Sequence, residues 1–177
     1  MALLGLVLAA GCAAAADTSA GTSAGTSAGT SAGTSAGTSA DHVKADVVFS
    51  QEMIAHHQQT IQLAEVAAER GKSSYVRELS KKLIPEEKAD IEMMSSWLRS
   101  WREPLPPEPT ARMGSELKAG AEFDRQWLKA LSGHLEHGVM MAEEVRKAGR
   151  HGPTLELAGK VIQAQKAELA EIAERAG

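Results

Sequence analysis

From Asp46 onward, apolar and polar residues alternate with the period of an α-helix. With Phe49 set at 0° and about 100° added per residue, Met53, His56, Thr60, Leu63 and Ala67 all fall within about 40° of that direction. Gln51, Gln58, Gln62 and Glu65 fall on the opposite side, where solvent is expected. Four such patterns follow one another, at 46–70, 74–101, about 115–148 and 154–176. Gly71 ends the first as a C-terminal cap, and GRHGP separates the last two. The stretch EPLPPEP, residues 103–109, cannot be helix interior and predicts an extended linker at 102–114 between hairpins 46–101 and 115–176. Pro85 falls inside the second pattern, where it removes one backbone hydrogen bond and predicts a kink.

The two hairpins align without a gap at a constant offset of 78. Asp46 matches Asp124, Phe49 matches Trp127, His56 matches His134, Gly71 matches Gly149 and Lys82 matches Lys160. One hairpin buries too little apolar surface to stand alone. A duplicated pair closes into an all-α, antiparallel four-helix bundle with a pseudo-twofold axis.

Several polar residues share the apolar stripes. His56 sits mid-stripe and His57 on its flank; in the third pattern His134 and Met141 are on the stripe and His137 toward an edge. In the second pattern Glu87 and Asp90 lie among Leu79, Leu83, Met94, Trp97 and Trp101, and their counterparts are Gln165 and Glu168. Residues whose numbers sum to about 143 stand side by side in the first hairpin, which pairs His56 with Glu87 and Met53 with Asp90. The same rule pairs His134 with Gln165 and Leu131 with Glu168. One layer should therefore hold His56, His134, Glu87, Asp90, Gln165 and Glu168. Buried carboxylates are costly unless they are paired or bind a metal. The layer is either a ligand set or a hydrogen-bond network that fixes bundle register. Met53, Met140 and Met141 could add thioethers for Cu(I), although methionine is also an ordinary core filler. Met140 is three residues after His137 and Met141 four, so H-x-x-M-M presents both ligand types on adjacent turns.

The remainder of the chain bears on location. Residues 1–16, MALLGLVLAAGCAAAA, fit a short secretory apolar region. LAAGC resembles a bacterial lipobox, with Cys12 as the lipidated mature N-terminus, although Ala9 replaces the usual leucine and no Lys or Arg precedes Lys44. A plain signal peptide cleaved in the alanine run is the alternative. Residues 17–40 repeat Thr, Ser, Ala and Gly with no large apolar side chain and read as a flexible tether, leaving 41–177 as the folded domain. An exported protein held to the membrane, in the periplasm or on the outer surface, is expected. Cys12 is the only cysteine, so a metal site in the domain must use His, Met, Asp or Glu. The net charge of −4 argues against a nucleic-acid partner, and only 3% aromatic residues favour closely packed helices.

DVVFSQEMIAHH, residues 46–57, and EKADIEMMSSWL, residues 87–98, resemble the bacterial domain-of-unknown-function family 305, and the resemblance extends over residues 41–177. It implies a ferritin-like bundle of two hairpins, generally exported, with copper binding and tolerance in some members. The family's histidine pair falls on His56 and His57, and its later polar pair on Glu87 and Asp90. In the second half Leu135 stands for the second histidine and Trp127 for the phenylalanine, while Gln165 and Glu168 keep the Q-x-x-E spacing.

The expected function is metal binding, copper first, as buffer, carrier or tolerance factor. The ligand candidates are His56, His57, His134, His137, Met53, Met140 and Met141. The alternative is an envelope interaction or stress module whose polar layer is purely structural. No nucleophile–base pair, phosphate loop or zinc-protease motif occurs, so no enzyme is expected. A ferritin-like oxidase would need Glu-x-x-His in the core, whereas Glu52 and His56 are four apart.

Overall fold

The computed structural model describes residues 41–176. The expected signal peptide, Cys12 and the expected tether lie outside the described residues. Four helices form: α1, Lys44–Arg70; α2, Ser74–Trp101; α3, Phe123–Ala148; and α4, Gly152–Ala176. No strand occurs among the described residues. No helix there is long and apolar enough to cross a membrane.

One expectation is corrected locally. The third helix begins at Phe123 rather than 115, because the chain first turns through Gly114 and Gly120, both at positive φ. Gly114, at φ 83°, also lies against α1, where an added Cβ would stand 2.9 Å from Leu63 Cδ2. Pro85 lies inside α2, as expected, and the helix continues through it with one backbone donor fewer. Ser73 caps the start of α2 by accepting the Val76 N–H at 3.2 Å.

α1 packs on α2 and on α3, and α3 packs on α4, while α2 and α4 scarcely touch. α1 and α3 are thus the central pair, with α2 packed on α1, α4 packed on α3, and the two outer helices facing each other across a cleft. The duplication is visible in how the halves bind each other. The Asp46 carboxylate accepts the N–H groups of Arg150 and His151, at 3.1 and 3.2 Å, in the α3–α4 turn. The Asp124 carboxylate accepts those of Lys72 and Ser73, at 2.8 and 2.7 Å, in the α1–α2 turn. Each aspartate, in the first turn of a central helix, therefore satisfies orphan donors in the opposite hairpin.

The linker runs along α1 as a strap, and the residues expected to face solvent are the ones that hold it. Gln51 donates to the Pro104 carbonyl at 2.8 Å, and Gln58 to Glu108 at 3.3 Å. Gln62 accepts the Met113 N–H at 2.9 Å. Arg112 pairs with Glu65 at 3.4 Å and Glu69 at 3.9 Å. Arg70 donates to the Leu117 carbonyl at 2.7 Å.

The apolar core forms two clusters. One centres on Leu63, Phe123, Trp127 and Leu131, and Met113 and Leu117 of the strap pack against it. The other centres on Phe49, Met53, Met94 and Ala142. On α1 and α3, the polar residues His56, His57, Thr60 and His134 lie between the two.

Candidate metal centre

His56 and His134 meet across the pseudo-twofold axis. The His56 Nε2–H donates to the His134 carbonyl at 2.9 Å, and the His134 Nε2–H to the His56 carbonyl at 3.1 Å. His134 Nε2 is also 3.1 Å from the Thr60 hydroxyl oxygen. A carbonyl can only accept, so Nε2 carries the proton in both rings and Nδ1 keeps its lone pair. The rings stack with centroids 3.7 Å apart and planes 4° apart. Burial, reinforced by the neighbouring His134, lowers the His56 pKa to about 3; burial lowers that of His134 to about 4. Both rings are therefore neutral at pH 7, the protonation state a metal ligand requires. Nδ1 of His56 is buried with no partner.

His57 has a different environment. Burial alone would lower its pKa, but Glu87 and Asp90 override that and hold it at about 9. Its Nδ1 lies 2.7 Å from Glu87 and its Nε2 3.6 Å from Asp90. The Glu87 contact is a close charge pair off the line of a hydrogen bond, which leaves both atoms without a directional partner. His57, and not His56 or Met53, is thus the residue that faces these carboxylates. Equal height in a hairpin sets the level and not the azimuth: consecutive residues point about 100° apart, so His56 faces α3 while His57 faces α2. His57 is only 2% exposed, although its angular position had put it on the flank of the stripe.

The expected single layer accordingly divides. His56, His134 and Thr60 are internal. His57, Glu87, Asp90 and Glu168 line a cleft of about 370 Å³ between α2 and α4, and the buried Gln165 also lines it. Lys82 reaches from α2 to Glu168 on α4 at 3.0 Å. Burial raises the Glu168 pKa against the opposing pull of Lys82.

Gly138 was not singled out from the sequence, yet it shapes the site. An added Cβ would stand 2.8 Å from His56 Cε1 and also strike the Gln165 amide. Its counterpart in the first half is Thr60, so a glycine at a duplicated threonine was the available signal. Gln165 is buried, with its amide oxygen unpartnered.

Of the predicted ligands, the histidines come together. The His57 ring lies 6.0 Å and the exposed His137 ring 5.7 Å from that of His56. The methionines are dispersed: Met53 is fully buried in the apolar cluster, Met141 packs against it, and Met140 is 59% exposed. Among the described residues no three His, Cys, Asp or Glu side chains form a group that could hold a metal ion as they stand. The donors suit a soft or borderline ion in kind. Their arrangement would need ring rotation.

Residues 46–175 match the family model described as a domain of unknown function, DUF305. No curated protein sequence matches significantly. Among solved structures, CopM in its Cu(I)-bound form aligns with a TM-score of 0.67 at 25% identity, covering 73% of this chain and 93% of CopM. CopM has also been solved with Cu(II), with a TM-score of 0.66 at 24% identity, over the same shares of the two chains. A DUF305 fragment from Deinococcus radiodurans aligns with a TM-score of 0.61 at 23% identity, over 75% of this chain and 95% of the fragment. A candidate secreted DUF305 protein from Streptomyces coelicolor aligns at 0.59 and 26%, over 73% of this chain and 89% of that one.

Proposed function

The chain belongs to the DUF305 family, and from that premise we propose that it is a non-enzymatic copper-binding protein of the cell envelope. Its role is that of a buffer or carrier, exported and held to the membrane by a lipid on Cys12. Copper is cargo here. The observation that carries the reading is the buried, unpartnered Nδ1 of His56, neutral and surrounded by His57, His134 and His137. CopM, a structural neighbour solved with Cu(I) and Cu(II), supports copper over other ions that accept imidazole. His56 and His134 supply internal nitrogen. His137 and Met140, one turn apart on an exposed face, supply the entry ligands. His57 is held as a cation by its carboxylates, and would ligate only after losing its proton.

The test is a titration of the full chain with Cu(I), Cu(II) and Zn(II) against a competing chelator, beside His56→Ala, His134→Ala and the surface variant His137→Ala. Tight stoichiometric copper binding, weakened at least tenfold in His137→Ala and lost in the core variants, is expected. Binding no tighter than that of a lone surface histidine overturns the reading. In that event the second reading stands, an interaction or stress module with a structural polar layer. It is favoured by one observation: both central imidazoles already spend their N–H groups tying α1 to α3.

A further inference from the structure

The strap covers only one of two equivalent seams. Where the C-terminal half of α1 meets the start of α3, Leu63, Val66, Ala67, Phe123 and Trp127 are at most 1% exposed, and Met113 and Leu117 of the strap pack on their cluster. The pseudo-twofold axis maps this seam onto the one between the start of α1 and the C-terminal half of α3. There a cleft of about 280 Å³ remains, lined by residues of α1 and α3 alone. It is lined by Ala45, Val48 and Phe49 from α1 and by Met141, Val145 and Ala148 from α3. At an offset of 78, Ala45, Phe49, Met141 and Val145 correspond to Phe123, Trp127, Leu63 and Ala67. Met141 and Ala45 are only half-buried, whereas their counterparts are sealed.

We propose that this open seam docks a short peptide segment of a second protein: a cation followed by two large apolar side chains four positions apart, folded as a turn. The strap itself supplies the template. Arg112 pairs with Glu65 and Glu69, and the Met113–Leu117 turn, closed by Leu117 N–H to the Gly114 carbonyl at 3.1 Å, brings both apolar residues to the cluster. The positions that pair with Arg112 correspond here to Glu143, already paired with Lys166, and Lys147, so the negative charge at the open cleft comes from other residues, Glu52 and Glu144, which line it without any Lys or Arg. The chain's own tether cannot fill it, because residues 17–40 contain no side chain larger than Asp or Thr. An apolar partner side chain entering such a cleft is stabilised by the area it removes from water, and a neighbouring cation by the rim carboxylates.

The probe is a fluorescently labelled synthetic peptide with the strap's own sequence, TARMGSELK, residues 110–118, titrated with the full chain by anisotropy. Saturable one-to-one binding is expected. It should weaken at least tenfold with Ala148→Arg, a substitution at an exposed helical position that leaves the fold intact, and likewise when the peptide's Met and Leu become Ser. Absence of saturable binding overturns the proposal. So does binding that Ala148→Arg leaves unchanged, since the peptide would then sit elsewhere. A concentration-dependent dimer of the chain that Ala148→Arg dissolves also overturns it, because the occupant would be a second copy.

Discussion

His57 and Glu87 behave as a unit, and the second half shows what replaces them. At the duplicated positions stand Leu135 and Gln165, so cation and anion were exchanged together for a neutral pair. His57→Leu alone strands a buried carboxylate and should cost about 3–5 kcal/mol in denaturant unfolding. His57→Leu with Glu87→Gln should recover most of that loss; a double variant no more stable than the single one would show that the pair is not a unit. The same residues set the pH response. The His57 pKa of about 9 lies above its unfolded value near 6.5, so its contribution is complete below pH 6.5 and is lost as pH rises through 9. His56 and His134, at about 3 and 4, lie below the unfolded value; their neutral burial costs nothing above pH 6.5 and penalises folding as pH falls below it. Tm scanned from pH 5 to 9.5 should therefore peak near pH 6.5, and the double variant should lose the alkaline limb only. At Gly138, alanine gains about 1 kcal/mol of helix propensity yet must displace the His56 ring and Gln165, a net loss of about 1–2 kcal/mol by thermal unfolding.

At the scale of elements, the central helices hold the molecule and the aspartates at their starts hold the turns. Asp46→Ala and Asp124→Ala each deprive two backbone donors of the opposite hairpin of their carboxylate, and each should cost about 1–3 kcal/mol. Equal losses for the two variants would express the pseudosymmetry in energy; a neutral effect for either would deny that the turn is held this way. Backbone donors also keep the Asp124 carboxyl below its usual range against the opposing effect of burial, so its contribution disappears as pH falls through that lowered value. The four helices, the duplication and the histidine pair were legible in the sequence, because period and offset are local properties of the chain. The azimuth of His57 was not, since it depends on which of two neighbours each face of α1 meets. The role of Gln51, Gln58 and Gln62 was hidden for a related reason. A polar residue looks the same whether water or a linker carbonyl answers it.

For the bundle as a whole, α1 and α3 form one unit, with α2 packed on α1 and α4 on α3. Amide hydrogen exchange should be slowest in α1 and α3 around His56 and His134 and faster along the outer face of α2 and α4; uniform protection would contradict this arrangement. Cutting the contact of the strap with Leu117→Ser should loosen residues 103–117 and the C-terminal half of α1 while leaving α4 unchanged.

The reciprocal pair at the axis has a consequence for how such a chain can be assembled. Two identical hairpins related by this axis would make an isologous homodimer, with each imidazole answering the other protomer's carbonyl. Joining the protomers into one polypeptide requires a single connector, and one connector can run on only one side of a twofold axis. Fusion therefore makes inequivalence unavoidable: one protomer is sheathed by the joint and the other left bare, before any side chain has changed.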